Sequence, residues 1–172
     1  ILKKKLDKQK DTKKRREIEY KFFKQVFKKE EPIFKRKAKY FQKEWKNTNN
    51  RIMIALSKVV EQDWDDKDKI IFARVSINPI CPRYLKQRTF DVFYRISAEY
   101  MKMIAIHEIL HFIYFKKWKK IFLKISEKEY QWPHLTWHLS EMVPGIILND
   151  RRIQKVFKHK VVVAQNDLLS LP

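Results

Sequence analysis

Glycine occurs once in the 172 residues, at Gly145, cysteine once, at Cys81, and proline six times. Tight two-residue hairpins rely on residues that accept positive φ, above all glycine. A chain with one glycine is therefore expected to be mainly helical, with few strands. One cysteine excludes an intrachain disulfide and fits a reducing, cytoplasmic setting. No stretch has the length and composition of a transmembrane helix or a signal peptide. The chain opens at Ile1 rather than at a methionine, so a further piece upstream is compatible with it. No internal repeat occurs, and low complexity is confined to the lysine-rich start.

Acid is also in short supply, with 20 Asp and Glu against 40 Lys and Arg, a formal net charge of +20. The imbalance is uneven. Residues 1–46 hold 19 of the basic and 7 of the acidic residues, or +12, and the remainder carries +8. An arm and a body are the expected organisation: a basic amphipathic helical arm over 1–46, serving as a prosegment or a partner-binding region, and a domain over 47–172. Such charge favours polyanions such as nucleic acid or an anionic membrane, or acidic proteins, and equally fits a solvated face. Apolar residues make up 44%, enough to drive collapse of one domain.

Hydrophobic spacing sets the elements. Ile18, Phe22 and Val26 begin an i, i+4 stripe that Pro32 is expected to end, and Phe34, Ala38, Phe41 and Trp45 mark a second amphipathic helix over 33–46. Ile52, Ala55, Leu56 and Val59 mark a third. An acidic turn over 63–68 precedes "KIIFARVSI", whose β-branched alternation reads as a strand, and "RTFDVFY" over 88–94 reads as a second. Ser97 can cap a long helix through "AEYMKMIAIHEILHFIYFKKW". After "QWPH", "LTWHLSEMV" reads as a short helix broken at Pro144 and Gly145, and "IILNDRRIQKVF" as a last one. "VVVAQNDLLSLP" is open between a tail strand and a packed coil.

The informative segment is "IAIHEILHFI", residues 104–113. His107 and His111 are four apart, so a helix sets both imidazoles on one face, near enough to share a metal ion. Glu108 follows the first histidine and projects to the side, where it can take a proton from water. The bland alternative is two buried histidines in ordinary hydrogen bonds with Glu108 in an ion pair. Burying these groups inside an apolar run is costly without a partner, and this favours the metal. Two ligands leave a zinc site incomplete. The downstream candidates for a third are His134, His138, Glu141 and His159. "FIYFKKWKK" after His111 lacks the glycine and histidine of the metzincin continuation, which excludes that class.

His107-Glu108-x-x-His111, followed thirty residues later by Glu141 in a predicted helix, resembles the gluzincins, the H-E-x-x-H zinc peptidases whose third ligand is a glutamate. The resemblance implies an α+β, mainly helical, zincin-like metallopeptidase domain, in which a small sheet and a backing helix support the active-site helix and an edge strand holds extended substrate. It implies one zinc ion per chain on His107, His111 and Glu141; His138, three residues earlier and able to share the face of Glu141, is the alternative third ligand. It also implies a peptide or protein substrate and hydrolysis by activated water, with Glu108 as general base and acid. Tyr130, His134 and His138 are candidates to stabilise the transition state. Better-known gluzincins carry an acidic residue four positions after the glutamate ligand, where this chain has Gly145. Support for the histidines must therefore differ, with Asn149 and Asp150 as candidates. Cys81 reads as a small buried residue, or as a thiol able to reach the metal. The competing class is a basic nucleic-acid-binding protein with a structural or vestigial zinc site.

Overall fold

The computed structural model describes residues 6, 7, 9–62 and 70–157. The acidic turn, His159 and the 161–172 tail lie outside the described residues. Two layers form the body, helices on one side and a small sheet on the other, with the long central helix between them.

Helix α1, Thr12–Lys46, starts at Asp11, whose carboxylate accepts hydrogen bonds from the Lys13 and Lys14 amides. It does not stop at Pro32, as its sequence suggests, but passes through it as one 35-residue helix. An internal proline removes a backbone hydrogen bond and costs about 3 kcal/mol. Contacts on both sides of Pro32 offset that loss. Phe27 and Phe34 meet across it with ring centroids 5.1 Å apart, the Tyr94 hydroxyl bonds Glu30, and Phe34 lies edge-on to Tyr94. The helix thus has two parts: Phe34 and Phe41 are buried on the body, whereas before Pro32 Phe22 of the expected Ile18-Phe22-Val26 stripe is 37% exposed and the neighbouring Tyr20, Phe23 and Phe27 are 67%, 47% and 52% exposed.

Helix α2, Asn49–Val60, buries Ile52, Ala55 and Leu56 as its spacing predicts, and ends at Glu61 in the left-handed region, φ 49°. Strands β1, Phe72–Ser76, β2, Arg83–Tyr84, and β3, Thr89–Phe93, follow. Their order is β1-β3-β2, with β1 parallel to β3 and β2 antiparallel to it, Arg83 opposite Phe90. The two-residue β2 leaves no periodicity in the sequence and was not expected.

Helix α3, Ala98–Ile121, is capped by Ser97, whose hydroxyl accepts from the Tyr100 amide, with Glu99 in the first turn and Lys119 and Lys120 in the last. Opposite signs at the two ends suit the helix dipole. One face of α3 packs Ile106 and Leu110 against Ile52, Leu56, Leu148 and Ile153, and another packs Met101 and Ala105 against Phe41, Phe90 and Val92. Lys102, 2% exposed, is held by Glu99 at 2.8 Å and Glu44 of α1 at 3.5 Å. After a short 3-10 turn, Glu127–Tyr130, helix α4 runs Leu135–Leu148 and α5 Arg151–Gln154. The expected break at Pro144 and Gly145 does not occur. Both residues are buried inside α4, where packing against α3 outweighs their poor helix propensity.

Truncating Phe41 to Ala is expected to cost about 3–5 kcal/mol in urea denaturation, as for a buried core phenylalanine, and Phe23→Ala less than about 1 kcal/mol. Equal losses would contradict the division of α1 into a packed and an overhanging part.

Candidate metal centre

The centre lies where α3, α4 and β2 meet. The i, i+4 spacing brings the imidazoles of His107 and His111 together, with Nε2 atoms 2.9 Å apart and ring centroids 4.7 Å apart. Helix α4 packs along α3 and delivers Glu141, whose Oε2 lies 3.3 Å from His107 Nε2 and 3.4 Å from His111 Nε2. Glu108 Oε1 is 3.9 Å from His107 Nε2. His107, Glu108 and His111 are buried, His111 completely, and their ligand atoms lie within 4.8 Å of one another.

The donors fit a metal. Ligands at about 2.0–2.1 Å around a tetrahedral zinc stand about 3.3 Å apart, and the triangle of His107 Nε2, His111 Nε2 and Glu141 Oε2 has edges of 2.9, 3.3 and 3.4 Å. Such a cluster of His and Glu can coordinate a metal ion. The geometry also separates the two carboxylates, because Glu141 touches both imidazoles and Glu108 stands to one side. Arrangement and donor chemistry are consistent with a compact gluzincin-like metallopeptidase.

No family profile, no curated protein and no solved structure matches the chain. The site's own geometry therefore carries the functional reading.

Arg83 completes the centre. Its Nη1 donates to Glu141 Oε1 at 3.0 Å and lies 4.0 Å from Glu108 Oε2, and its guanidinium sits over the Phe115 ring. By taking Oε1 it leaves Oε2 of Glu141 to the imidazoles. Sequence reasoning missed it, because a lone arginine between Pro82 and Tyr84 carries no spacing signal.

Burial governs the titration of these groups. It pushes His111 down to about 3, keeping the imidazole neutral with a lone pair available. It pushes Glu108 up to about 7, against the lowering influence of His107 and Arg83. Burial also works to raise Glu141, but hydrogen bonds with His107 and His111 and the Arg83 charge outweigh it and hold its carboxyl well below the usual range.

Among the other predicted residues, His138 is exposed, with its ring against Trp137, and His134 is the exposed residue preceding α4. Tyr130 is buried and stacks on Phe115 at 4.5 Å, its hydroxyl without a hydrogen-bond partner among the described residues. Asn149 donates to the Gly145 carbonyl, and Asp150 caps α5 and holds Arg152. His111 Nδ1 has no hydrogen-bond partner among the described residues, so the support familiar at such histidines is missing here. Cys81, at φ 53°, is buried and donates to the Pro79 carbonyl, and burial raises its pKa, which keeps the thiol protonated.

Replacing Arg83 with Met leaves two buried carboxylates without their cation. The metal-free protein is expected to lose about 3–5 kcal/mol of stability, measured by chemical denaturation. An unchanged midpoint would show that Arg83 does not balance the centre.

Proposed function

We propose that the chain is a zinc-dependent metallopeptidase that holds one zinc ion through His107, His111 and Glu141 and hydrolyses peptide bonds with Glu108 as general base and acid. The observation that carries this reading is the triangle of three donor atoms at tetrahedral spacing, with a second, non-bridging carboxylate beside it.

A zinc ion bound there supplies Lewis acidity toward a scissile carbonyl and toward water. Two imidazoles and one carboxylate form the donor set, and they keep their geometry because α3 and α4 are packed and the Glu141 carboxylate is anchored at its other oxygen by Arg83. Glu108 Oε2 is buried without a hydrogen bond, which leaves an acceptor for the proton of the attacking water. The same carboxyl then gives that proton to the leaving amine. No covalent intermediate with a side chain is required.

Substrate reaches this centre as a peptide or protein. Among the described residues no helix is long and apolar enough to cross a membrane. A cytoplasmic setting belongs to the same proposal, supported by the single cysteine.

The Glu108→Gln variant is expected to bind zinc as the parent does while turnover falls about 10²- to 10⁴-fold, read by mass spectrometry of a peptide library incubated with each protein. Turnover retained in the variant would remove Glu108 from the mechanism.

A further inference from the structure

A cavity of about 620 Å³ opens beside the centre, and Arg83, the residue that anchors Glu141, forms part of its wall. Its rim is basic: Lys86 and Arg88 from the turn after β2, Lys116 and Lys119 from α3, and Lys128 from the 3-10 turn. Glu127, which pairs with Lys86 at 3.4 Å, is the one acid among the described residues lining it. The floor is apolar and aromatic, with Ile71, Phe112, Phe115 and Tyr130. In that wall the buried Tyr130 hydroxyl has no hydrogen-bond partner among the described residues, and buried donors are seldom left so.

We infer that this cavity is the substrate-selecting subsite of the proposed peptidase and takes a peptide segment carrying Asp or Glu side chains next to the scissile bond. This rests on the peptidase reading for its place in catalysis, but the cavity's charge and shape stand without it. Carboxylates complement the lysine rim, and the apolar floor accommodates the methylene parts of an extended peptide. The volume falls in the range of clefts that enclose small ligands, suited to a few residues of chain. A nucleic acid fits less well. Two of the aromatics are already engaged, Phe115 with Tyr130 on one contact and the Arg83 guanidinium on another, so their faces do not form the free stacking platform that bases need.

The test is fluorescence anisotropy on the 172-residue, zinc-loaded Glu108→Gln protein, which binds without consuming the probe. The probes are a labelled Glu-rich decapeptide, its Gln counterpart and a single-stranded oligonucleotide of equal charge. Lys119→Glu with Lys128→Glu reverses two exposed rim charges, and Lys21→Glu with Lys24→Glu makes the same net change on the overhang of α1. The expected result is a preference of about tenfold or more for the Glu peptide over the Gln peptide. The rim variant abolishes this preference, and the overhang variant keeps it. Equal affinity for the two peptides would overturn the proposal, as would a preference indifferent to the rim or lost equally in both variants. Tighter binding of the oligonucleotide through the same rim lysines would also overturn it, making the cavity a nucleic-acid surface. Cleavage is read separately with the parent protein: binding as expected with no cleavage of the bound peptide would sustain the subsite and remove the peptidase reading.

Discussion

Two imidazoles and two carboxylates share a largely buried space between α3 and α4, and everything around them has to make that tolerable. Buried ionisable groups are costly unless they compensate one another. Here Arg83 sets a positive charge against Glu141 and Glu108, and Glu141 in turn holds the two imidazoles, of which burial keeps that of His111 neutral. A metal cation held by these donors, as proposed above, would supply the charge that two carboxylates and one guanidinium leave unbalanced. The centre is thus a charge balance first and a catalytic arrangement second.

The fold supplies rigidity to that balance. Helix α3 is packed on two faces by two apolar clusters, one with α2, α4 and α5 and one with the sheet and α1. Its histidine-bearing positions therefore cannot rotate without disturbing both clusters. The sheet is small, yet its shortest strand, β2, carries the arginine that holds Glu141 and stands beside Glu108. The same strand and turn begin the basic cavity, which links the metal centre to the surface through one residue.

Legibility in the sequence followed the range of the signal. His107 and His111 were readable because one helical turn sets their spacing, and Ser97, Ile52 and Leu56 because caps and apolar stripes are local. Glu141 required a resemblance, since nothing local ties a glutamate on α4 to an imidazole on α3. Arg83 was unreadable for the same reason: its partners lie 25 and 58 residues away and are fixed by tertiary packing. Pro32 and Pro144 were misread in the opposite direction. Local propensity says that a helix ends there, and the buried contacts on either side override it. The division of α1 into a packed and an overhanging part was not legible: charge set residues 1–46 apart as one arm, and apolar spacing alone does not say which aromatics of the helix find a partner.

The most direct measurement is metal content by elemental mass spectrometry, on protein purified without added metal and again after zinc is supplied, beside His111→Ala and Glu141→Ala. The account predicts about one zinc per chain in the parent protein, lost in both variants, because three protein donors are needed to hold the ion. No metal in the parent even after zinc is supplied would contradict it, leaving the buried histidines and glutamates as a hydrogen-bonded core cluster. Full occupancy in Glu141→Ala would contradict the donor triangle.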